Sequence, residues 1–216
     1  MSKFVTNNTE LFANIAQDLQ FTGYSIQTLD QELPALQALK SRLAEFDFDT
    51  FDEAGIGRKD DHQKNETIRS DKIHWLDNSN ALEGCFLDYM DELKAYMNKR
   101  LFMGLFSYEC HFAHYQPGAF YKKHLDAFKG QTNRLLSTVL YLNPDWQVEN
   151  GGELVIYDGE DHDKELTRVS PSFGTLVTFL SDEFPHEVLP AKTERFSIAG
   201  WFRVNNSVNG QIDPPR

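Results

Sequence analysis

The chain contains few of the residues that mark several common classes of protein. Only two of its 216 residues are cysteine, Cys85 and Cys110, so it has neither a disulfide framework nor a metal-knuckle spacing. We expect both to be buried apolar residues. No apolar run approaches the roughly 20 residues that span a membrane, and the N-terminal residues lack the apolar core of a signal peptide. We therefore expect a cytoplasmic protein.

Positive charge is also scarce. The chain has 21 basic against 33 acidic residues and a formal net charge of −12. Such a surface repels nucleic acids and anionic membranes, so we expect neither as a partner. The sequence contains no GxSxG elbow, no phosphate-binding loop and no dinucleotide-binding glycine pattern. Nothing in it predicts an oligomeric state.

Aromatic and aliphatic residues are plentiful, and in the first half of the chain they recur at helical spacing. This spacing predicts a helix from residue 8 or 9 to 19, a second from near Gln31 with Pro34 in its first turn, and a third over 80–101. A strand is predicted over 23–29. The polar segment 52–70 reads as a long exposed loop, a feature that is usually functional or disordered.

From residue 104 onward the pattern changes to at least seven short strands separated by turns, with no long helix between them. This arrangement predicts a sandwich or a barrel closed on itself. No repeat or linker divides the chain. We therefore expect one α+β, mainly β domain over 1–216, in which 1–103 supply supporting helices and a loop, and 104–205 form the β core.

Three residues in the predicted barrel have the chemistry of a metal site. His124 and Asp126 stand two apart in a predicted strand, so both side chains point to the same face. His186, at the start of another strand, is the best third ligand. Two histidines and one carboxylate leave open positions on an octahedral iron(II), which an oxygenase needs for a cosubstrate and dioxygen. Zinc remains an alternative for the same ligands, although the HExxH pattern is absent.

A further basic residue, Arg195, follows His186 by nine positions in the next predicted strand. A guanidinium directed into an apolar barrel is costly unless it pairs with a carboxylate. It therefore predicts an acidic ligand such as 2-oxoglutarate, and the alternative is a solvated residue that points outward. His111 and His114 are three apart on a strand, so they face opposite ways and cannot share one metal without a bulge.

Several short motifs occur in order between Ile68 and Val204, and together they resemble one family. They are IRSDKIHW at 68–75, AHYQPG at 113–118, FYKKHLD at 120–126, LYLNPDW at 140–146, GGELVIY at 151–157, PHEVLPA at 185–191 and ERFSIAGWF at 194–202. The segment resembles the 2-oxoglutarate- and iron(II)-dependent prolyl 4-hydroxylases, especially the oxygen-sensing branch and its bacterial counterparts. The resemblance implies a double-stranded β-helix, or jelly roll, with supporting N-terminal helices.

The resemblance also implies roles for individual residues. His124, Asp126 and His186 match the iron ligands, and Arg195 and Tyr141 match the residues that bind the far carboxylate of 2-oxoglutarate. The remaining matches line the pockets for cosubstrate and substrate: Tyr115, Leu154, Trp201, Arg134, Tyr121 and Arg69. The loop over 54–70, with Gly55 and Gly57 as a hinge, corresponds to one that closes over the protein substrate. His111 departs from the family, because an apolar residue is expected at its position.

The activity implied by the resemblance is hydroxylation of a prolyl residue in a protein, with Fe(II), 2-oxoglutarate, O2 and ascorbate as cofactors and with succinate and CO2 as products. For bacterial relatives, elongation factor Tu is a plausible target. Two alternatives remain: the same mechanism on a free amino acid or small molecule, and a metal-binding jelly roll without catalysis. The loop over 54–70 argues against the first alternative. Retention of the three ligands with Arg195 and Tyr141 argues against the second.

Overall fold

The helices follow the apolar periodicity of the sequence. The structure, a computed structural model, describes residues 8–54, 68–127 and 133–205. Its helices are α1 (Asn8–Thr22), α2 (Pro34–Glu45) and α3 (Ala81–Leu101). Helix α3 begins where expected because the Asn80 side chain accepts hydrogen bonds from two backbone amides of the first turn. Helix α2 begins three residues later than predicted, at Pro34, because the fixed φ of proline suits the first helical position.

Eleven strands are present in the part of the chain that the structure describes. They are β1 (Tyr24–Thr28), β2 (Asp52–Glu53), β3 (Lys72–Trp75), β4 (Leu105–Tyr115), β5 (Tyr121–His124), β6 (Arg134–Tyr141), β7 (Leu154–Tyr157), β8 (Glu165–Val169), β9 (Thr175–Leu180), β10 (His186–Val188) and β11 (Arg195–Val204).

The strands form two antiparallel sheets. The large sheet has the order β1-β9-β6-β11-β4-β3-β2, and the small sheet has the order β5-β10-β7-β8. One apolar cluster joins them, with Ala113, Tyr141 and Phe179 from the large sheet and Leu154 and Ile156 from the small one. Two sheets packed in this way form the expected double-stranded β-helix, and its interior holds the candidate site described below.

The three helices cover the outer face of the large sheet. A second apolar cluster holds them there, in which Ile15, Leu36 and Leu93 pack with residues of the sheet such as Leu140 and Phe202. None of the described helices is long and apolar enough to cross a membrane. Of the two cysteines, Cys110 is buried as expected, whereas Cys85 is only partly buried.

The sheet does not stop at the predicted boundary near residue 103. Strand β1 pairs with β9, and β3 pairs with β4 along Lys72–Trp75, so the first half of the chain extends the large sheet at both edges. The strand predicted over 23–29 is present as β1, and the pairing of β1 and β3 with strands far away in the sequence is an addition to the expected helices and loop. A single domain remains our proposal, and the shared sheet supports it.

Candidate metal centre and acid pocket

The three predicted metal ligands meet at one end of the small sheet. His186 begins β10 and lies opposite His124, the last residue of β5, in the antiparallel register. Strand β5 ends at His124, so Asp126 lies in the bend after the strand and not within it as predicted. The chain leaves the strand there because the amide of Ala127 bonds to the Ser181 carbonyl instead. One ligand atom from each of the three residues lies within 4.8 Å of the others.

Both imidazoles are held with Nε2 free to bind a metal. Nδ1 of His124 lies 2.8 Å from the Lys122 carbonyl oxygen, and Nδ1 of His186 lies 3.0 Å from that of Phe184. Each Nδ1 therefore donates its hydrogen to a carbonyl, and Nε2 keeps its lone pair. Burial, together with the neighbouring His124, lowers the pKa of His186 to about 4. The ring of His186 is thus neutral at physiological pH, as a metal ligand requires.

The carboxylate of Asp126 is held by a residue that the sequence analysis missed. Ser137 on β6 donates a hydrogen bond of 2.7 Å to Oδ2 of Asp126. Burial raises the pKa of Asp126, but His186, His124 and this hydroxyl outweigh burial and lower it overall. Ser137 shares its face of β6 with Val139 and Tyr141, so a polar residue in an otherwise apolar face was the available signal.

A buried guanidinium lies deeper in the interior, where β11 begins. Arg195 is 1 % exposed, which rules out the outward-pointing alternative. Its Nε donates to the carbonyl of Gly152 at 3.0 Å, and Nη1 donates to Oγ of Ser197 at 3.4 Å. No carboxylate in the described part of the chain forms an ion pair with it. A buried cation without a counter-ion is costly, so this position is suited to an anionic ligand.

Two tyrosines flank this guanidinium. The ring centres of Tyr115 and Tyr141 lie 4.8 and 4.9 Å from Cζ of Arg195. Tyr141 is fully buried, and its hydroxyl has no hydrogen-bond partner among the described residues. A buried hydroxyl usually has a partner, because leaving it unsatisfied costs about 1–3 kcal/mol. A ligand carboxylate would satisfy both Arg195 and Tyr141.

The other predicted pocket residues lie on four strands and on the segment that precedes β3. Leu154, on β7, is buried in the cluster between the sheets. Trp201 on β11 is 8 % exposed, and the guanidinium of Arg134 stacks 3.7 Å from its ring centre. Tyr121 stacks against His124, and Arg69 lies over the ring of Tyr121. The predicted hinge at Gly55 and Gly57, with most of the loop, lies outside the described residues.

His111 and His114 face opposite ways, as strand geometry predicts. His114 packs outward between Phe48 and Phe196. His111 is buried on the inner side and contacts Trp75 and Trp201. Its Nδ1 lies 3.1 Å from the carbonyl of Phe112. Burial, with the nearby Arg69 as the next cause, lowers the pKa of His111 to about 4, so the ring is neutral near pH 7.

Comparisons with known proteins agree with this geometry. Residues 110–203 match the model of the 2OG-Fe(II) oxygenase superfamily. A solved prolyl-4-hydroxylase from Pseudomonas putida is 41 % identical, with a TM-score of 0.77 over 90 % of this chain and 100 % of the other. A prolyl hydroxylase from Trichoplax adhaerens, solved with a fragment of the hypoxia-inducible factor oxygen degradation domain, is 26 % identical with a TM-score of 0.76, over 91 % of this chain and 90 % of the other.

The chain thus belongs to the 2OG-Fe(II) oxygenase superfamily, and the proteins it resembles include prolyl hydroxylases. Human Egl nine homolog 1 is 31 % identical over 159 residues, which are 68 % of this chain and 35 % of the human protein. This chain therefore spans about a third of that curated relative's length.

The cofactors of this superfamily fit the residues present. Its members use Fe(II), 2-oxoglutarate and O2. The two imidazoles and the carboxylate of the triad form a donor set for Fe(II). Among the residues that the structure describes, Arg195 has no carboxylate partner and the Tyr141 hydroxyl has no hydrogen bond, so both are suited to the far carboxylate of 2-oxoglutarate.

Proposed function

We propose that this protein hydroxylates a prolyl residue of a protein substrate, with consumption of 2-oxoglutarate and O2 and release of succinate and CO2. The observation that carries the proposal is the buried Arg195, which has no counter-ion in the described part of the chain and lies in the same interior as a His–Asp–His triad. Structural relatives described as prolyl hydroxylases support the choice of proline. We also propose that the protein is cytoplasmic and that ascorbate supports its turnover.

Each residue has a defined task in this reaction. His124, Asp126 and His186 would hold the metal, and Ser137 would keep the carboxylate in place through its hydrogen bond to Oδ2. Arg195 and Tyr141 would bind the far carboxylate of 2-oxoglutarate. When bound, the iron and 2-oxoglutarate would supply the activation of O2, of which one atom is inserted into a C–H bond of the substrate and the other enters succinate.

The surroundings of the site exclude water and present an aromatic opening. Tyr115, Leu154 and Trp201 are all less than 10 % exposed, so they keep the interior dry. Arg134 covers Trp201 at the mouth, and Trp75 is 47 % exposed beside it. We propose that this aromatic and basic rim, with Tyr121 and Arg69, contacts the polypeptide around the target proline.

Decarboxylation of 2-oxoglutarate tests the proposal directly. The purified protein would be assayed with Fe(II) and ascorbate, either alone or with elongation factor Tu, proline-containing peptides or free proline. We expect turnover to be stimulated by a polypeptide and a target proline to gain one oxygen atom by mass spectrometry. The His124→Ala variant, which lacks one metal ligand, should be inactive.

The alternatives give different results in the same assay. Stimulation by free proline or another small molecule alone would favour a small-molecule oxygenase. Metal binding without decarboxylation under any condition would indicate a non-catalytic jelly roll. Stimulation by other polypeptides but not by elongation factor Tu would reject that target and keep the reaction.

A further inference from the structure

Arg69 has its hydrogen-bonding edge occupied within the chain. Its Nε and Nη2 donate to the two carboxylate oxygens of Asp71 at 2.8 and 2.6 Å. Asp71 is 2 % exposed, so this fork-to-fork ion pair is shielded from water and fixes the plane of the guanidinium. This buried, bidentate ion pair therefore gives Arg69 a role within the chain in addition to its place at the rim.

The fixed guanidinium supports an aromatic ring that lies against a metal ligand. Cζ of Arg69 is 4.5 Å from the ring centre of Tyr121. The same ring stacks on the imidazole of His124, with centres 3.6 Å apart and planes inclined by 16°. Because the imidazole covers one face of the phenol, the guanidinium occupies the other. Asp71, Arg69, Tyr121 and His124 thus form one continuous series of contacts, which we call the Asp71–His124 stack.

Backbone hydrogen bonds hold the two ends of this stack together. Arg69 and Tyr121 form an antiparallel bridge. The amide of Lys122 donates to the Ile68 carbonyl at 2.9 Å, and the amide of Ser70 donates to the Phe120 carbonyl at 3.2 Å. The segment that precedes β3 is therefore attached to β5, the strand that carries His124.

His124 needs such support more than His186 does. Strand β5 is at the edge of the small sheet and pairs with β10 in an irregular register. The His186 side chain is 6 % exposed and packs on Phe179, whereas that of His124 is 17 % exposed. The hydrogen bond of Nδ1 to the Lys122 carbonyl fixes one edge of the His124 ring. The stack prevents the ring from tilting about that edge.

We propose that Arg69 and Tyr121 are positioning residues that hold the imidazole plane of His124 and thereby set the affinity of the triad for its metal. This inference rests on the proposed function, because it requires a metal at the triad. It gives both residues a role beyond contact with substrate. Residues that orient a metal ligand typically change metal affinity by about 10–100-fold when they are replaced.

Binding of Mn(II) alone, without 2-oxoglutarate or substrate, tests the inference. Mn(II) would be titrated into the chelator-treated full chain and followed by electron paramagnetic resonance and by calorimetry. We expect Arg69→Gln and Tyr121→Leu to weaken Mn(II) binding by about tenfold or more. Tyr121→Phe keeps the stacked ring and should bind Mn(II) as the wild type does.

The chain offers a matched control in the helical layer. Nε of Arg42 pairs with the buried Glu83 at 2.7 Å, and its guanidinium lies 4.1 Å from the ring centre of Phe46. Arg42→Gln therefore removes the same combination of ion pair and ring contact away from the metal site. It should lower the melting temperature while it leaves the Kd for Mn(II) unchanged.

The possible results separate this inference from the proposed function. Unchanged Mn(II) affinity in folded Arg69→Gln and Tyr121→Leu would overturn the inference. So would an effect confined to the KM for the polypeptide, because that would make the residues substrate contacts only. If Tyr121→Leu does not fold, the comparison of Arg69→Gln with Arg42→Gln still decides. Equal failure of the wild type and His124→Ala to bind Mn(II) would instead refute the metal site itself.

Discussion

At the scale of single residues, the acid pocket is stabilised poorly by the chain alone. Arg195 is a buried cation with no carboxylate partner among the described residues, and the Tyr141 hydroxyl nearby has no hydrogen bond. Both features cost folding free energy in the protein without a ligand and become favourable when an acid is bound. Stability and ligand affinity should therefore respond differently to substitutions at these positions.

Replacement of Arg195 tests this difference. We expect Arg195→Gln to weaken 2-oxoglutarate binding by about 10²–10³-fold, since loss of one partner from a buried ion pair costs about 3–5 kcal/mol. Without a ligand the free energy of unfolding should change much less, because the substitution removes an uncompensated buried charge together with the hydrogen bonds of Arg195 to Gly152 and Ser197. Calorimetric titration of the Mn(II)-loaded protein and urea unfolding without ligand would measure the two effects. A loss of stability with unchanged affinity would contradict the role of Arg195.

His111 should make the stability of the protein sensitive to acid. Its pKa in the unfolded chain is ordinary, whereas burial, followed by Arg69, lowers it to about 4 in the folded protein. The unfolded chain therefore binds more protons, and stability that is fully present above the ordinary pKa is lost as the pH falls toward 4. Between pH 7 and pH 5 we expect the wild type to lose about 2 kcal/mol more than His111→Gln. Equal losses in urea unfolding at the two pH values would refute this.

At the scale of elements, two glycines show how differently a helix and a packed strand tolerate a methyl group. A Cβ at Gly84 in α3 would meet only Oδ1 of Asn78, at 3.7 Å. A Cβ at Gly200 in β11 would overlap the Tyr108 hydroxyl and lie 2.7 Å from Cβ of Cys110 on the adjacent strand. The first position is open, and the second is closed by the packing of β4 on β11.

Alanine at these two glycines should have opposite effects. We expect Gly84→Ala to raise the free energy of unfolding by about 0.5–1 kcal/mol, because alanine favours the helix. Gly200→Ala should lower it by about 1–3 kcal/mol through overpacking. Urea unfolding of the two variants beside the wild type measures both changes. Destabilisation by Gly84→Ala would show that α3 has a closer neighbour at that point than the structure describes.

Local sequence patterns predicted the helices and strands of this fold better than they predicted which strands pair with each other. The periodicity of α1 and α3 and the capping residue Asn80 are properties of neighbouring residues, so the sequence shows them. The pairing of β1 with β9 and of β3 with β4 depends on residues far apart in the chain, and no local pattern reports it. The end of β5 before Asp126 was missed for the same reason.

In the candidate site, too, the sequence showed what depends on neighbouring residues and missed contacts between separate elements. Spacing predicted His124 and Asp126 on one face, strand position and the cost of a buried charge pointed to His186 and Arg195, and the family motifs matched all four. The hydrogen bond from Ser137 to Asp126 and the ion pair of the buried Glu83 with Arg42 were not foreseen, because each joins separate elements. Glu83 in particular occupies the first turn of a helix, where an acidic residue ordinarily faces water.

At the scale of the whole molecule, the interior between the two sheets links ligand binding to folding. The triad draws its residues from the small sheet and the bend beyond β5, and Arg195 belongs to the large sheet. A metal with a bound acid would connect the two layers and would stabilise only the folded arrangement.

Ligands should therefore raise the melting temperature together. With Mn(II) and 2-oxoglutarate at about a hundred times their Kd, we expect a gain near 2.7 kcal/mol for each binding step. For a chain of this size one such step corresponds to a rise of about 5–10 °C. A chelator should reverse the rise, and Asp126→Ala should abolish the part caused by Mn(II). Thermal unfolding monitored by circular dichroism would show this, and an equal rise in Asp126→Ala would place the metal elsewhere.

The hydrogen bond between Arg195 and the Gly152 carbonyl has one more consequence. Gly152 has a φ of +74°, and a Cβ there would lie 2.8 Å from Cβ of Ala191 and 3.3 Å from Cδ of Arg195. A larger residue at this point would crowd both Ala191 and the side chain of Arg195. The shape of the acid pocket therefore depends on a residue whose own side chain is a single hydrogen atom, and a substitution there would disturb the guanidinium without changing any charged group.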